Sequence, residues 1–103
     1  MTRGVHTTVR TVDATVTGPI EDILLEKWEH RRVALRVIAD ESVSGTPEFG
    51  LQSSVDKNAW ILLEKETGPD VDMLREVPEP YLRPTIETAA DSGTVQLWMA
   101  ASV

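Results

Sequence analysis

Apolar and polar residues alternate at every second position through much of the chain, the period of a half-buried β-strand. In residues 5–17, Val12, Ala14 and Val16 share one phase while Asp13 and Thr15 take the other. Val5, Thr7 and Val9 sit in the opposite phase, which predicts a bend, bulge or split in that strand, with Gly18-Pro19 as the turn that closes it. Val33, Leu35, Val37 and Ala39 alternate with Ala34, Arg36 and Ile38, and Asp40-Glu41-Ser42 with Ser44-Gly45-Thr46-Pro47 ends the run. Phe49, Leu51, Ser53 and Val55 alternate with Gly50, Gln52 and Ser54, and Asp56-Lys57-Asn58 is a tight turn, so 49–66 reads as a β-hairpin. Gly68-Pro69-Asp70-Val71-Asp72 reads as an acidic loop that Val77-Pro78-Glu79-Pro80 prolongs. Residues 81–88 form a strand containing Pro84, which lacks an N–H for the ladder and therefore belongs at an edge or a bulge. After the turn Asp91-Ser92-Gly93 the last strand points Val95, Leu97, Met99 and Ala101 one way and Gln96, Trp98 and Ala100 the other.

Residues 20–32 fit two templates. Ile20, Ile23, Leu24 and Trp28 fall on one helical stripe with Glu21 and Asp22 at its acidic front, yet Asp22-Ile23-Leu24-Leu25 equally suits an edge strand. Six to seven short strands at this spacing predict an all-β domain, an antiparallel β-sandwich of jelly-roll type, with room for one short helix near 20–31. Twelve Val and eleven Thr, stiff at χ1 and suited to a pleated surface, agree with that class. At 103 residues the whole chain, 1–103, is one domain, and residues 1–11 read as an extended N-terminal arm.

Composition changes the picture mainly by exclusion. Seventeen Asp and Glu against ten Lys and Arg give a net charge of −7, a field that repels nucleic-acid phosphates and anionic lipid, so neither is an expected partner. The few lysines, Lys27, Lys57 and Lys65, fit a high-salt (halophilic) source as well as an arginine-favouring genome. With no Cys there is no disulfide scaffold, thiolate nucleophile or zinc-thiolate site. No apolar run has the length of a membrane span and the first residues lack a signal-peptide core, so the expectation is a soluble, unprocessed chain.

Catalytic chemistry finds little to stand on. His6 lies in the N-terminal arm and His30 in the cluster Glu29-His30-Arg31-Arg32, neither with a partner at metal-ligand spacing. No nucleophile elbow or phosphate-cradling glycine loop occurs. Asp70 and Asp72 offer two carboxylates to a hard cation without a full ligand loop, and the Glu64/Glu66 and Glu76/Glu79 pairs carry no acid–base signature. No enzyme activity, cofactor or metal is expected. The aromatic set is more informative. Trp98, opposite Val95, Leu97 and Met99, makes the last strand apolar on both faces, as in a strand covered on both sides or set against another subunit. Trp60 and Tyr81 read either as core or interface side chains or as a platform that stacks on sugar rings.

One resemblance goes further. The run 51–63, holding Ser54, Asp56 and Trp60, is followed by Pro80-Tyr81-Leu82-Arg83-Pro84-Thr85-Ile86-Glu87-Thr88 and then Ser92-Gly93-Thr94-Val95-Gln96-Leu97. It resembles a pattern of small β-sandwich, jelly-roll-like virion structural proteins of tailed double-stranded DNA viruses, in which Ser-x-Asp-Gly leads to a Trp, a Tyr-x-Arg strand and a Ser-Gly-Thr turn. Residues 33–101 are covered, with 33–40 as the opening strand. The chain departs from the pattern in having Lys57 where Gly is usual and Pro84 inside the Arg strand. The resemblance implies a non-enzymatic capsid decoration, turret or tail-accessory protein located in the virion. It would be homo-oligomeric and bound to major capsid or tail proteins, with Arg83 structural. In that setting His6, Arg10, Trp28 and Trp98 are the expected interface residues, and the arm adds as a strand to a neighbouring subunit. The alternative is a carbohydrate-binding sandwich in which Trp60 and Tyr81 stack on sugar.

Overall fold

The computed structural model describes residues 6–20, 25–26, 32–76 and 80–102. Its strands are β1 (His6–Asp13), β2 (Gly18–Pro19), β3 (Leu25–Glu26), β4 (Arg32–Ala39), β5 (Glu48–Ser54), β6 (Ile61–Thr67), β7 (Val71–Glu76), β8 (Tyr81–Thr88) and β9 (Thr94–Ser102), with no helix among the described residues. One sheet runs β1-β9-β4-β7 and the other β2-β8-β5-β6, with β3 pairing β8 beyond β2. The pairing is that of a single long hairpin: β5 with β6 at its tip, then β4 with β7, β2 and β3 with β8, and β1 with β9. Rolling that ribbon sets β4 beside β9 and β5 beside β8. With β2 and β3 taken as one interrupted strand, this is an eight-stranded jelly roll, the expected all-β sandwich.

Burial alternates as the pattern demands. Val33, Leu35 and Val37 of β4 meet Val95, Leu97, Met99 and Ala101 of β9 on the inner face of the first sheet, joined by Val71 and Met73 of β7. Phe49 and Leu51 of β5 with Leu82 and Ile86 of β8 close the core from the second sheet. Phe49 is the largest of the side chains fully removed from water.

Several boundaries differ from the sequence expectation. β1 pairs with β9 in unbroken register from His6↔Ala101 to Asp13↔Thr94, so the phase change at Val9 is no bulge. The core-facing row of β1 is instead polar, with Thr8 and Arg10 ahead of Val12, because an edge strand need not bury that face fully. The turn falls just after Asp13, leaving Val16 exposed, and Gly18-Pro19 is β2, paired with Ile86 and Thr85. The arm expected over 1–11 lies, from His6 onward, within β1 of this same sheet, while residues 1–5 lie outside the described residues. Within 20–31, Leu25–Glu26 is strand, opposite Leu82 and Tyr81, and the remaining residues 21–24 and 27–31 lie outside the described set. The acidic loop is shorter than expected, since Val71 already opens β7.

Pro84 is neither on an edge strand nor at a bulge. It faces Leu51 in the central strand β8, and its carbonyl accepts from the Ile20 N–H at 2.9 Å. In an antiparallel strand a residue's N–H and C=O point to the same neighbour. The missing donor of Pro84 therefore faces Ile20, just past the end of β2, where the described ladder pairs no further residue.

On the side where β6 and β7 lie, one side chain ties the two sheets. Between Leu51↔Glu64 and Gln52↔Leu62 the ladder skips Leu63, a bulge. The Arg75 guanidinium of β7 donates to the freed Leu63 carbonyl at 3.0 Å and contacts the Glu64 carboxylate at 3.4 Å.

One end of the sandwich is tied together at the β8–β9 connection. The Ala14 N–H donates to the Gly93 carbonyl, that of Ala90 to the Ala14 carbonyl and that of Asp91 to the Ser44 carbonyl, while the Ser92 hydroxyl donates to the Ser42 carbonyl. Gly93 has φ 102°, and a Cβ there would lie 2.6 Å from the backbone N and Cα of Val43. Gly93→Ala is expected to destabilise the fold by at least about 2 kcal/mol, since both the dihedral and the backbone contact must yield. A melting temperature unchanged within error would show that the loop accommodates a side chain.

Three carboxylates, at the end of β1 and in two loops, are held below the ordinary aspartate value of 3.8: Asp13 by the Thr15 hydroxyl and N–H, Asp40 by the Ser42 hydroxyl and N–H, and Asp56 by the Ala59 and Asn58 N–H groups and the Ser54 hydroxyl. All of these bonds favour the charged form. A depressed carboxylate contributes stability above its unfolded value and loses it as pH falls through the lower folded one. Melting temperature is therefore expected to stay level down to about pH 4 and fall below it, with a smaller fall when all three are changed to Ala. An identical acid slope in that variant would place the acid sensitivity elsewhere.

Candidate functional site

The strands that bury Val33, Leu35, Val37 and Val95, Leu97, Met99 must present their other residues on the opposite side of the sheet. On the outer face of β1-β9-β4-β7 the register aligns Thr7, Ala100, Ala34 and Leu74 in one row. Val9, Trp98, Arg36 and Asp72 form the next, and Thr11, Gln96 and Ile38 a third. Leu74 is 70% exposed, Ile38 43% and Trp98 37%. A shallow groove of about 340 Å³ is lined by Trp98 and Ile38 with Ala34, Ala100, Arg36 and Asp72. The Trp98 indole N–H donates to Gln96 Oε1 at 3.3 Å.

A charged pair stands in the middle row, between Leu74 on one side and Ile38 on the other. The Arg36 guanidinium meets the Asp72 carboxylate at 2.8 Å across β4 and β7, and that hydrogen bond holds Arg36 still more firmly charged. Asp70 Oδ1 accepts from the Ala39 N–H at 2.9 Å. The two carboxylates that offered themselves to a cation are thus spent on the β4–β7 edge, and no group of three or more His, Cys, Asp or Glu placed to hold a metal ion occurs among the described residues.

The second sheet carries a different cluster at one end of its outer face. Trp60, just before β6, lies against the Arg83 guanidinium at 3.9 Å from the ring centroid, and Arg83 Nε donates to Gln52 Oε1 at 2.7 Å. Lys57 Nζ stands 4.9 Å from the centre of the Tyr81 ring. The backbone explains the proximity: Gln52↔Arg83 and Ser54↔Tyr81 are cross-strand partners, and the β5–β6 turn brings Lys57 and Trp60 back beside them. Lys57, at the position where Gly is usual in the resembled pattern, does adopt φ 69°. Asp56 supports that turn by accepting from Asn58 and Ala59 at 2.8 and 3.0 Å.

The expected interface residues do not form one group. Trp98 stands on the outer face beside Val9. Arg10, opposite Leu97, belongs to the other face of β1, where its guanidinium reaches the Val9 carbonyl at 3.2 Å. His6 is placed by register opposite Ala101, and Trp28 lies outside the described residues. Trp60 and Tyr81 lie at the same end of the second sheet, outside the core, each with a cation on its ring. Sequence reasoning missed Leu74, because β7 read as loop, and passed over Ala34 and Ile38, although the logic that singled out Trp98 applies equally to β4.

No protein-family model matches the chain, and no curated protein sequence matches it. Solved structures do. The crystal structure of SPBc2 prophage-derived protein YomS has a TM-score of 0.72 over 100% of this chain and 98% of that one, at 9% identity. A structure from Bacillus endospore appendages, a family of disulfide-linked pili, has a TM-score of 0.52 over 100% and 92%, at 12% identity. At such identities what is shared is the fold.

The stacked Trp60–Arg83 pair gives a direct test of this geometry. Trp60→Ala is expected to leave a folded, cooperatively melting protein, because the ring is not part of the core. A double-mutant cycle with Arg83→Ala should return a coupling of about 0.5–1 kcal/mol. Global unfolding of Trp60→Ala would instead make the ring a core element.

Proposed function

We propose that this chain is a non-enzymatic structural subunit of a phage-type particle, which decorates or stabilises a capsid or tail joint through protein–protein contacts. The observation that carries the reading is the set of large apolar side chains, Trp98, Ile38 and Leu74, left exposed around the Arg36–Asp72 pair on the outer face of β1-β9-β4-β7. Large apolar side chains exposed on one face of a sheet around a charged pair are the form of a surface that another protein covers. A prophage-derived protein and a pilus protein with this fold support a particle-associated setting. The linkage differs from that of the pili, since a chain without Cys assembles without disulfides. No catalytic group, cofactor, nucleic acid or membrane is part of the role, and the expected partners are copies of the chain and the major capsid or tail proteins.

The alternative, a carbohydrate-binding sandwich, rests on Trp60 and Tyr81. Arg83 and Lys57 each already hold a ring face there, which leaves less aromatic surface for a sugar.

Light scattering at low salt and at about 2 M salt tests the reading, since salt screens the repulsion between copies that each carry −7. A discrete oligomer, strengthened by salt and reduced to a smaller discrete species by Ile38→Asp with Leu74→Asp, is the expected result. A strict monomer under both conditions, with glycan retention lost on Trp60→Ala, would overturn it in favour of the sugar-binding module.

A further inference from the structure

Both sheets of an open sandwich end in edges, and an edge strand presents unpaired N–H and C=O groups that a further strand can take up. Most of the edges here are blunted. β6 carries the Leu63 bulge and Lys65, β2 is short and contains Pro19, and β7 has Asp72 and Glu76 facing Arg36 and Arg32 with Arg75 turned toward β6. β1 is different. It runs from His6 to Asp13 in regular register with no bulge, no Pro and no Lys.

The direction of its free groups follows from the ladder. The Ala14 N–H donates to the Gly93 carbonyl, so Ala14 faces β9, and alternation then turns the backbone groups of Thr7, Val9, Thr11 and Asp13 to the open edge. The Arg10 guanidinium on the Val9 carbonyl agrees, because it reaches that oxygen from the exposed side.

We propose that the β1 edge pairs with the β1 edge of a second copy of this chain, antiparallel about a two-fold axis at Val9, so that the two first sheets become one continuous sheet. This deepens the assembly reading above and rests on it. A two-fold axis along the sheet normal keeps inner faces with inner faces, so only registers centred on a residue are allowed. Centring on Arg10 sets Arg10 directly against its own copy, a like-charge pair. Centring on Thr11 sets Val9 against Asp13 and shortens the overlap. Centring on Val9 opposes Val9 to Val9, Thr7 to Thr11 and Thr8 to Arg10, and lets the outward groups of Thr7, Val9 and Thr11 form the ladder once the Arg10 guanidinium leaves the Val9 carbonyl. It also joins the outer row Trp98–Val9 of one copy to Val9–Trp98 of the other, so an apolar row of four side chains crosses the axis.

A chain with no Cys is suited to the test, since each introduced thiol is unique. Single variants Thr7→Cys, Val9→Cys, Arg10→Cys and Thr11→Cys are treated with a thiol-to-thiol reagent just long enough for one cross-strand pair, about 5.5 Å between Cα atoms. The expected result is a covalent dimer whose yield peaks at Val9→Cys and falls several-fold at Thr7→Cys and Thr11→Cys, whose own copies lie about 14 Å apart along the strand. Val9→Pro provides the backbone control. Its N–H faces outward, so the variant should melt near the wild-type temperature yet weaken dimerisation at least tenfold. The cross-link at Val9→Cys should survive Ile38→Asp with Leu74→Asp, which leaves the edge intact. Yields that are flat or peak at another position, in a protein that light scattering shows to be oligomeric, would overturn the edge pairing while the assembly reading stands. A strict monomer would overturn both.

Discussion

The pairing of β9 between β1 and β4 is the interaction on which the rest of the molecule depends. β9 supplies Val95, Leu97, Met99 and Ala101 to the core, each at most 1% exposed, and β4 supplies Val33, Leu35 and Val37 beside them. A strand has two faces and a period of two, so burying these residues decides what stands outside: Gln96, Trp98 and Ala100 from β9, and Ala34, Arg36 and Ile38 from β4. A slip of one position would exchange the two sets, and the charge of Arg36 forbids it. The core therefore fixes the geometry of the outer face but not its chemistry. Gln96 and Arg36 show that polar residues are accepted there, which makes Trp98, Ile38 and Leu74 a property that the fold does not require.

What could be read from the sequence was what repeats with a fixed period. Residues 33–39 and 94–101 alternate so cleanly that strand, face and core residues all followed, and the 49–66 hairpin was bounded correctly by Asp56 and its capping bonds. Misreadings came where a local signal competed with a partner distant in sequence. Gly18-Pro19 has the composition of a turn, yet two residues of extended chain suffice to pair with Ile86 and Thr85. Val71-Asp72 looked like loop because Pro69 and two acids precede and surround it, whereas Arg36 opposite Asp72 makes the acid welcome in a strand. Pro84 looked like an edge residue because a missing donor usually needs solvent, and a place just past the end of the paired strand β2 serves as well.

The candidate site was less legible than the fold, for a related reason. A face is assembled from strands far apart in the chain, and alternation identifies only which residues of one strand stand together. Trp98 could be singled out within β9, but its neighbours Val9 and Arg36 come from β1 and β4, and only register supplies them. Trp60 and Tyr81 were grouped by residue type alone. The structure adds the cations, and with them a different meaning, since a ring stacked on Arg83 or beside Lys57 is already serving the β5–β8 surface.

Charge gives the arrangement a direction. A chain of net −7 repels its own copies, so association needs places where that repulsion is low and apolar area or backbone pairing is available. The β6 and β7 edges carry Glu64, Glu66, Asp72 and Glu76 and are tied to each other through Arg75. The β1 edge carries an Arg near its middle and its acid only at the end, and it adjoins Trp98 through Val9. The β6 and β7 edges are thus tied together and rich in acids, whereas the β1 edge itself is regular and carries one Arg and one Asp. Any association of copies would therefore meet the least like-charge repulsion at the β1 edge.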